Sequence, residues 1–130
     1  KSTMSRRDIG KLGEDFCGHI LAAKGYRILA RNYHSRYGEI DLIVQKEGII
    51  AFVEVKARKA DGIALPREYV DVKKQRRLIK TAIQYLSSTG VELQPRFDVF
   101  EVKLHSQTGA VIGYNYIENA FEVGDIDAIF

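Results

Sequence analysis

Apolar positions along this chain follow two rhythms, one of period near 3.6 and one of period 2. From Arg7 to Lys24, Ile9, Leu12, Phe16, Ile20 and Leu21 recur at helical spacing with Ala23 beside them, and Gly25 follows as a plausible stop. A second helical stripe, Leu78, Ile79, Ala82, Ile83 and Leu86, runs through Val72 to Ser88, with Asp71 as its cap and Gly90 as its end. Strand-like segments fall at Tyr26–Tyr33, Ile40–Val44, Ile49–Val55, Pro95–Leu104 and Ala110–Tyr116. In the first of these, Arg27, Ala30, Arg31 and Asn32 break the alternation. Tyr33–Gly38 reads as a polar loop, and Lys59–Glu68, which contains Pro66, as an irregular one. Glu118–Phe121 reads as the opening of a short helix or as a terminal turn. The order is α-β-β-β-α-β-β, an α/β fold with a mixed central sheet covered by helices. Its 130 residues suit one domain, with 122–130 left as a tail without assigned structure.

The stretch Gly38–Arg58, GEIDLIVQKEGIIAFVEVKAR, organises the rest. Its two apolar runs flank Glu47-Gly48, the two-residue loop of a β-hairpin. That loop sets Asp41 opposite Glu54 and Glu39 opposite Lys56, all on one face. Ile40, Leu42, Val44, Ala51, Val53 and Val55 then form the other, apolar face. Opposed carboxylates on neighbouring strands repel unless a cation sits between them. A hard divalent cation takes one or two carboxylates together with water and substrate phosphate. Lys56, two residues beyond Glu54, points at the same place and could orient an attacking water. Glu39 is a second-rank candidate for a further metal or water contact. Two carboxylates and a lysine in this arrangement suit a phosphodiesterase.

Charge alters the picture mainly through its distribution. The net formal charge is only +3. Most cations precede residue 81, whereas Glu118, Glu122, Asp125 and Asp127 gather late, giving a basic face and an acidic tail. Lys73, Lys74, Arg76 and Arg77 crowd the start of the second helix, where cations oppose the macrodipole and a phosphate would offset them. With Arg58 and Arg36 they form the expected nucleic-acid surface, and Tyr37 could meet a base. Gln75 falls on the buried side of the helix start and could meet the charged end of the hairpin.

These motifs carry a resemblance. Glu-x-Lys on a strand, following an acidic residue on the preceding one, resembles the PD-(D/E)XK nuclease superfamily. The strings GEIDLI, FVEVKAR, KKQRRL, RFDV and IENAF together resemble the bacterial YraN-like family of predicted endonucleases, over about Arg7 to Phe121. The resemblance implies a restriction-endonuclease-like core binding Mg²⁺ or Mn²⁺. It also implies the Val55 carbonyl as a ligand beside Asp41 and Glu54, and Glu14 of the first helix as a carboxylate approaching the metal.

The expected function is a metal-dependent endonuclease-like phosphodiesterase acting on nucleic acid, DNA ahead of RNA, branched or single-stranded forms included. A non-cleaving nucleic-acid-binding module and a scaffold within a DNA-processing complex stand as alternatives. Self-association into a homodimer stays open. His19, His34 and His105 are scattered, so zinc is not indicated. Neither GKLGEDF nor KADG has the spacing of a phosphate-binding glycine loop, and Ser87-Ser88 has no histidine nearby in sequence. The single cysteine, Cys17, reads as packing and fits a reducing cytoplasm. No apolar run approaches membrane-spanning length, so no membrane partner is expected.

Overall fold

The structure, a computed structural model, describes residues 4–60 and 70–122. The elements come in the expected order: α1 (Arg6–Ala23), β1 (Arg27–Ser35), β2 (Gly38–Lys46), β3 (Ile49–Lys59), α2 (Val72–Thr89), β4 (Gln94–Leu104) and β5 (Val111–Phe121). The five strands form one sheet in sequence order. Only β3 and β4 run parallel, because α2 crosses between them; every other neighbour is antiparallel. This is the mixed α/β architecture with flanking helices.

Each helix is bounded by its own sequence. Ser5 accepts the Asp8 N–H at 3.1 Å while Asp8 accepts the Ser5 N–H, a capping box that starts α1. Asp71 accepts the Lys74 N–H at 2.8 Å and starts α2, and Gly90 ends it with a left-handed φ of 71°. The helices cover opposite faces of the sheet. Ile9, Cys17 and Leu21 of α1 meet Leu42, Val44, Ala51, Val53, Phe100 and Val102. Leu78, Ile79, Ala82 and Tyr85 of α2 meet Ile40, Ile43, Ile50, Phe52, Phe97 and Val99. Covered on both sides, the central strands read as nearly continuous apolar runs.

Several expectations need correction. The hairpin register holds from Lys46–Ile49 to Leu42–Val53 and then stops. Asp41 and Glu54 are not ladder partners. Glu39 pairs with His34 of β1, not with Lys56, which pairs with Glu101 of β4. Ile40 lies in the α2 cluster, not on the face of Leu42. The cause is local. The β1–β2 ladder omits the step between Arg31–Leu42 and Tyr33–Ile40, where Asn32 has a φ of 49°, and both strands change face there. Beyond Val53, β3 pairs among the described residues with β4 alone.

The expected loop from Tyr33 shrinks to a tight turn at Arg36-Tyr37. Lys59 belongs to β3, and most of the loop expected after it lies outside the described residues, as does the tail from Val123. Glu118–Phe121 is neither helix nor turn: β5 continues through it, with an irregular step at Asn119, φ 53°. Buried Asp98 accepts the Asn119 N–H at 2.9 Å and takes the Arg96 guanidinium by two bonds of 2.9 Å. Tyr116 also donates to Asp98. Burial, then the Asp98 charge, pushes the Tyr116 hydroxyl well above its usual range, so it stays a donor.

α1 approaches the sheet closely at Gly13, where a Cβ would lie 2.7 Å from Ala57 Cβ and 3.0 Å from Val102 Cγ1. Gly10, one turn earlier, has nothing within 4 Å of that position. Gly13→Ala is therefore expected to lower the melting temperature: overpacking of about 1–3 kcal/mol outweighs the gain of about 1 kcal/mol in helix propensity. Gly10→Ala should raise it, having the propensity gain alone. Thermal melts of the two variants check this, and equal shifts would contradict the close approach.

Candidate active site

The site lies where β2 and β3 part. Asp41 Oδ2 accepts the Val55 N–H at 2.8 Å, so a side chain takes a donor that the interrupted ladder no longer satisfies. Glu54, on the α2 side of β3, is 8% exposed. Its Oε2 lies 2.9 Å from Lys74 Nζ, on the first turn of α2. Val55 turns toward α1, and Lys56 follows on the face of Glu54, half-buried.

Two acids now share a poorly hydrated space. Burial pushes the Asp41 carboxyl up to about 7, and the charges of Glu54 and Glu14 push the same way. The Val55 N–H and the Lys74 charge oppose this without cancelling it. Burial alone would lower the Lys74 ammonium, but its hydrogen bond to Glu54 and the Glu54 and Asp41 charges win, so it is raised and stays protonated. Burial, then the Asp41 charge, raises the Cys17 thiol well above its usual range; it is fully buried and no nucleophile.

The sequence candidates fall into three groups. Asp41, Glu54 and Val55 come together, with the Glu14 charge acting on Asp41 from α1, while Lys56 shares the face of Glu54 on β3. Glu39 is exposed and bonded to His34 at 3.4 Å; it lines an α1-side groove of about 700 Å³ that Glu14 also lines. Gln75 gives its amide to the Val70 carbonyl at 2.7 Å, fixing the chain where it enters α2. Lys73, Arg76 and Arg77 are exposed on α2, Arg36 is exposed on the β1–β2 turn, and Arg58 is half-buried on β3. Lys74, expected to face phosphate, is the direct partner of Glu54. Its place at the capped end of α2 was visible in sequence; the crossover that aims this end at β3 was not.

The apo stability should carry the signature of this arrangement. In the unfolded chain Asp41 ionises near 3.8, in the folded chain near 7. Between those values the folded state holds the extra proton, so the Asp41 contribution is present at acid pH and lost as pH rises through about 7. Asp41→Asn lacks this loss. Its melting temperature relative to the parent, in chelator, should climb from pH 5 to pH 8, by the equivalent of a few kcal/mol at most. Glu54→Gln also relieves Asp41 but gives up the Lys74 pair, so at pH 8 it should be less stable than Asp41→Asn. Parallel pH curves for parent and Asp41→Asn would contradict the coupling.

The model of the uncharacterised protein family UPF0102 matches residues 13–102. The UPF0102 protein of Caldanaerobacter subterraneus subsp. tengcongensis is 40% identical over 119 residues, 91% of this chain and 98% of that protein. That of Symbiobacterium thermophilum is 50% identical over 101 residues, 77% of this chain and 85% of that protein. A solved structure of Pyrococcus furiosus SfsA in complex with Ca²⁺ is 16% identical, covers 90% of this chain and 65% of that one, and has a TM-score of 0.37. That likeness is too loose to bear on function.

Proposed function

We propose that the chain, which belongs to the family UPF0102, is a metal-dependent phosphodiesterase that cleaves nucleic acid, DNA ahead of RNA. The observation that carries this reading is half-buried Asp41 set beside buried Glu54 where β3 leaves β2, an arrangement in which burial and the neighbouring carboxylates raise the Asp41 carboxyl. A cleft built for stability alone would neutralise both acids. The donor set fits a hard cation. Asp41 commits Oδ2 to Val55 and Glu54 commits Oε2 to Lys74, which leaves the second oxygen of each for an ion. Among the described residues no three His, Cys, Asp or Glu side chains form a closed cage. On this reading, water and substrate phosphate would have to complete the coordination of Mg²⁺ or Mn²⁺.

Asp41, Glu54 and the Val55 carbonyl would hold the ion. Bound there, it would polarise a phosphate oxygen and lower the pKa of a water. Lys56, on the same face of β3 as Glu54, orients the water and stabilises the charge that develops on the phosphoryl oxygens. Lys74 is a positioning residue: it fixes the Glu54 carboxylate through Oε2. Exposed Lys73, Arg76 and Arg77 hold the phosphates of the strand, their affinity falling with salt. Among the described residues no helix is long and apolar enough to cross a membrane.

The test is cleavage of linear, branched and single-stranded DNA and RNA with Mg²⁺ or Mn²⁺ and with chelator. Cleavage should require the ion. Lys56→Met should lower it by about 10²-fold or more while calorimetry still shows Mn²⁺ binding. Saturating Mn²⁺ should stabilise the parent by about 2.7 kcal/mol at a hundred times its Kd, and do far less for Asp41→Asn. Absence of both cleavage and metal-induced stabilisation would overturn the reading.

A further inference from the structure

The β1–β2 turn presents an aromatic ring that the core does not use. Tyr37 belongs to neither apolar cluster. Its ring instead meets two cations: Arg36 Cζ lies 5.0 Å and Lys80 Nζ 5.6 Å from its centroid. The guanidinium of Arg36 also donates to the Tyr37 hydroxyl at 2.8 Å.

The turn is fixed to α2. Ser35 Oγ accepts the Tyr37 N–H at 3.0 Å and lies 2.9 Å from Thr81 Oγ1, which donates to the Arg77 carbonyl at 2.8 Å. Gly38 lies against the same turn of helix: a Cβ there would meet Arg77 Cβ at 3.6 Å. Lys74, Arg77 and Thr81 share one face of α2, spaced by successive turns, and Lys80 adjoins it. A cationic track therefore runs from the Glu54–Lys74 pair along α2 to the Tyr37 ring, roughly 9 Å of helix from Lys74 to Lys80.

We infer that Tyr37 is a stacking platform for an unpaired nucleobase, with Arg77, Lys80 and Arg36 taking the adjoining phosphates. The substrate class is therefore nucleic acid with a single-stranded stretch, gripped without reading its sequence. The inference rests on the phosphodiesterase reading for the direction of the strand toward Asp41 and Glu54. Three features support it. A ring with cations over its face is the pairing that single-strand grooves use, since every base offers a π-face and every linkage a phosphate. The hydroxyl bonds at Ser35 and Thr81 pre-set the turn, so little order is lost on binding. A duplex would bury its bases from the ring; only an unpaired base can reach it.

The experiment is fluorescence anisotropy in chelator, with labelled oligothymidylate and a blunt duplex as probes. The parent should prefer the single strand. Tyr37→Ala should weaken that binding by about tenfold, Tyr37→Phe by no more than about twofold, and neither should alter the duplex. Lys80→Gln should flatten the salt dependence for the single strand by about 0.7 in log–log slope. The chain contains no tryptophan, so Tyr37→Trp places a sole indole on the platform, and oligothymidylate should quench its emission. An unquenched indole at saturation, single-strand binding unchanged in Tyr37→Ala, or equal loss for strand and duplex would overturn the inference. Because no metal is present, a protein that binds this way yet never cleaves would refute the phosphodiesterase reading alone.

Discussion

One hydrogen bond, from the Val55 N–H to Asp41 Oδ2 at 2.8 Å, sets the terms for the rest of the cleft. In a continued hairpin, β2 and β3 would have exchanged main-chain bonds down to Glu39 and Lys56. The strands instead part after Leu42 and Val53, and the face switch at Asn32 and Asp41 turns Ile40 toward α2. An unpaired N–H at this depth costs roughly 1–3 kcal/mol. Asp41 satisfies it with a carboxylate, and so is drawn into the sheet edge beside Glu54. The second half of β3 keeps β4 on one side, and among the described residues no strand pairs with it on the other.

The same device occurs twice in the sheet, with opposite electrostatic outcomes. At Asn119 the β4–β5 ladder is irregular, and Asp98 takes the stray N–H. There Arg96 binds the carboxylate at both oxygens, and Arg96 is raised further: burial works against its charge, while bonds to Asp98 and Tyr26 more than offset that. Asp98 is thus a closed, satisfied network that anchors the end of β5. Among the described residues no guanidinium takes Asp41 in this way. Its neighbour is another acid, whose cation, Lys74, is shared and 40% exposed. The two aspartates thus sit in opposite settings: a bidentate guanidinium holds Asp98, whereas burial and the neighbouring carboxylates raise half-buried Asp41.

Much of this was legible in sequence. Local rules were sufficient for the element order, the cap and end of the second helix and the hairpin register from Lys46 to Leu42, because each depends on a few adjacent residues: Asp71, Gly90, Glu47-Gly48. What escaped depends on contacts distant in sequence. The face switch at Asp41 needs β1, where Asn32 adopts a positive φ that its neighbours do not announce. Glu118–Phe121 looks like a turn by composition, and it is strand because Asp98, far back in the chain, receives the Asn119 N–H. Lys74 reads as one member of a basic run until the α2 crossover points its turn at Glu54.

That crossover also resolves an imbalance in the sequence. A helix opening on Lys73, Lys74, Arg76 and Arg77 sets cations against its own macrodipole. Part of the compensation is internal. Asp71 caps the first turn, and Glu54 and Asp41 bring two carboxylates to the same end, where negative charge is favoured. Lys74 is therefore compensated by the site, and the site by Lys74 and the helix terminus together. Among the described residues Lys73, Arg76 and Arg77 gain nothing comparable, and they are exposed. Their positions make sense if the remaining compensation arrives from outside as phosphate. On the proposed reading the inner turn of the helix would hold the acidic pair in place, and its outer turns would draw in the phosphate on which that pair acts.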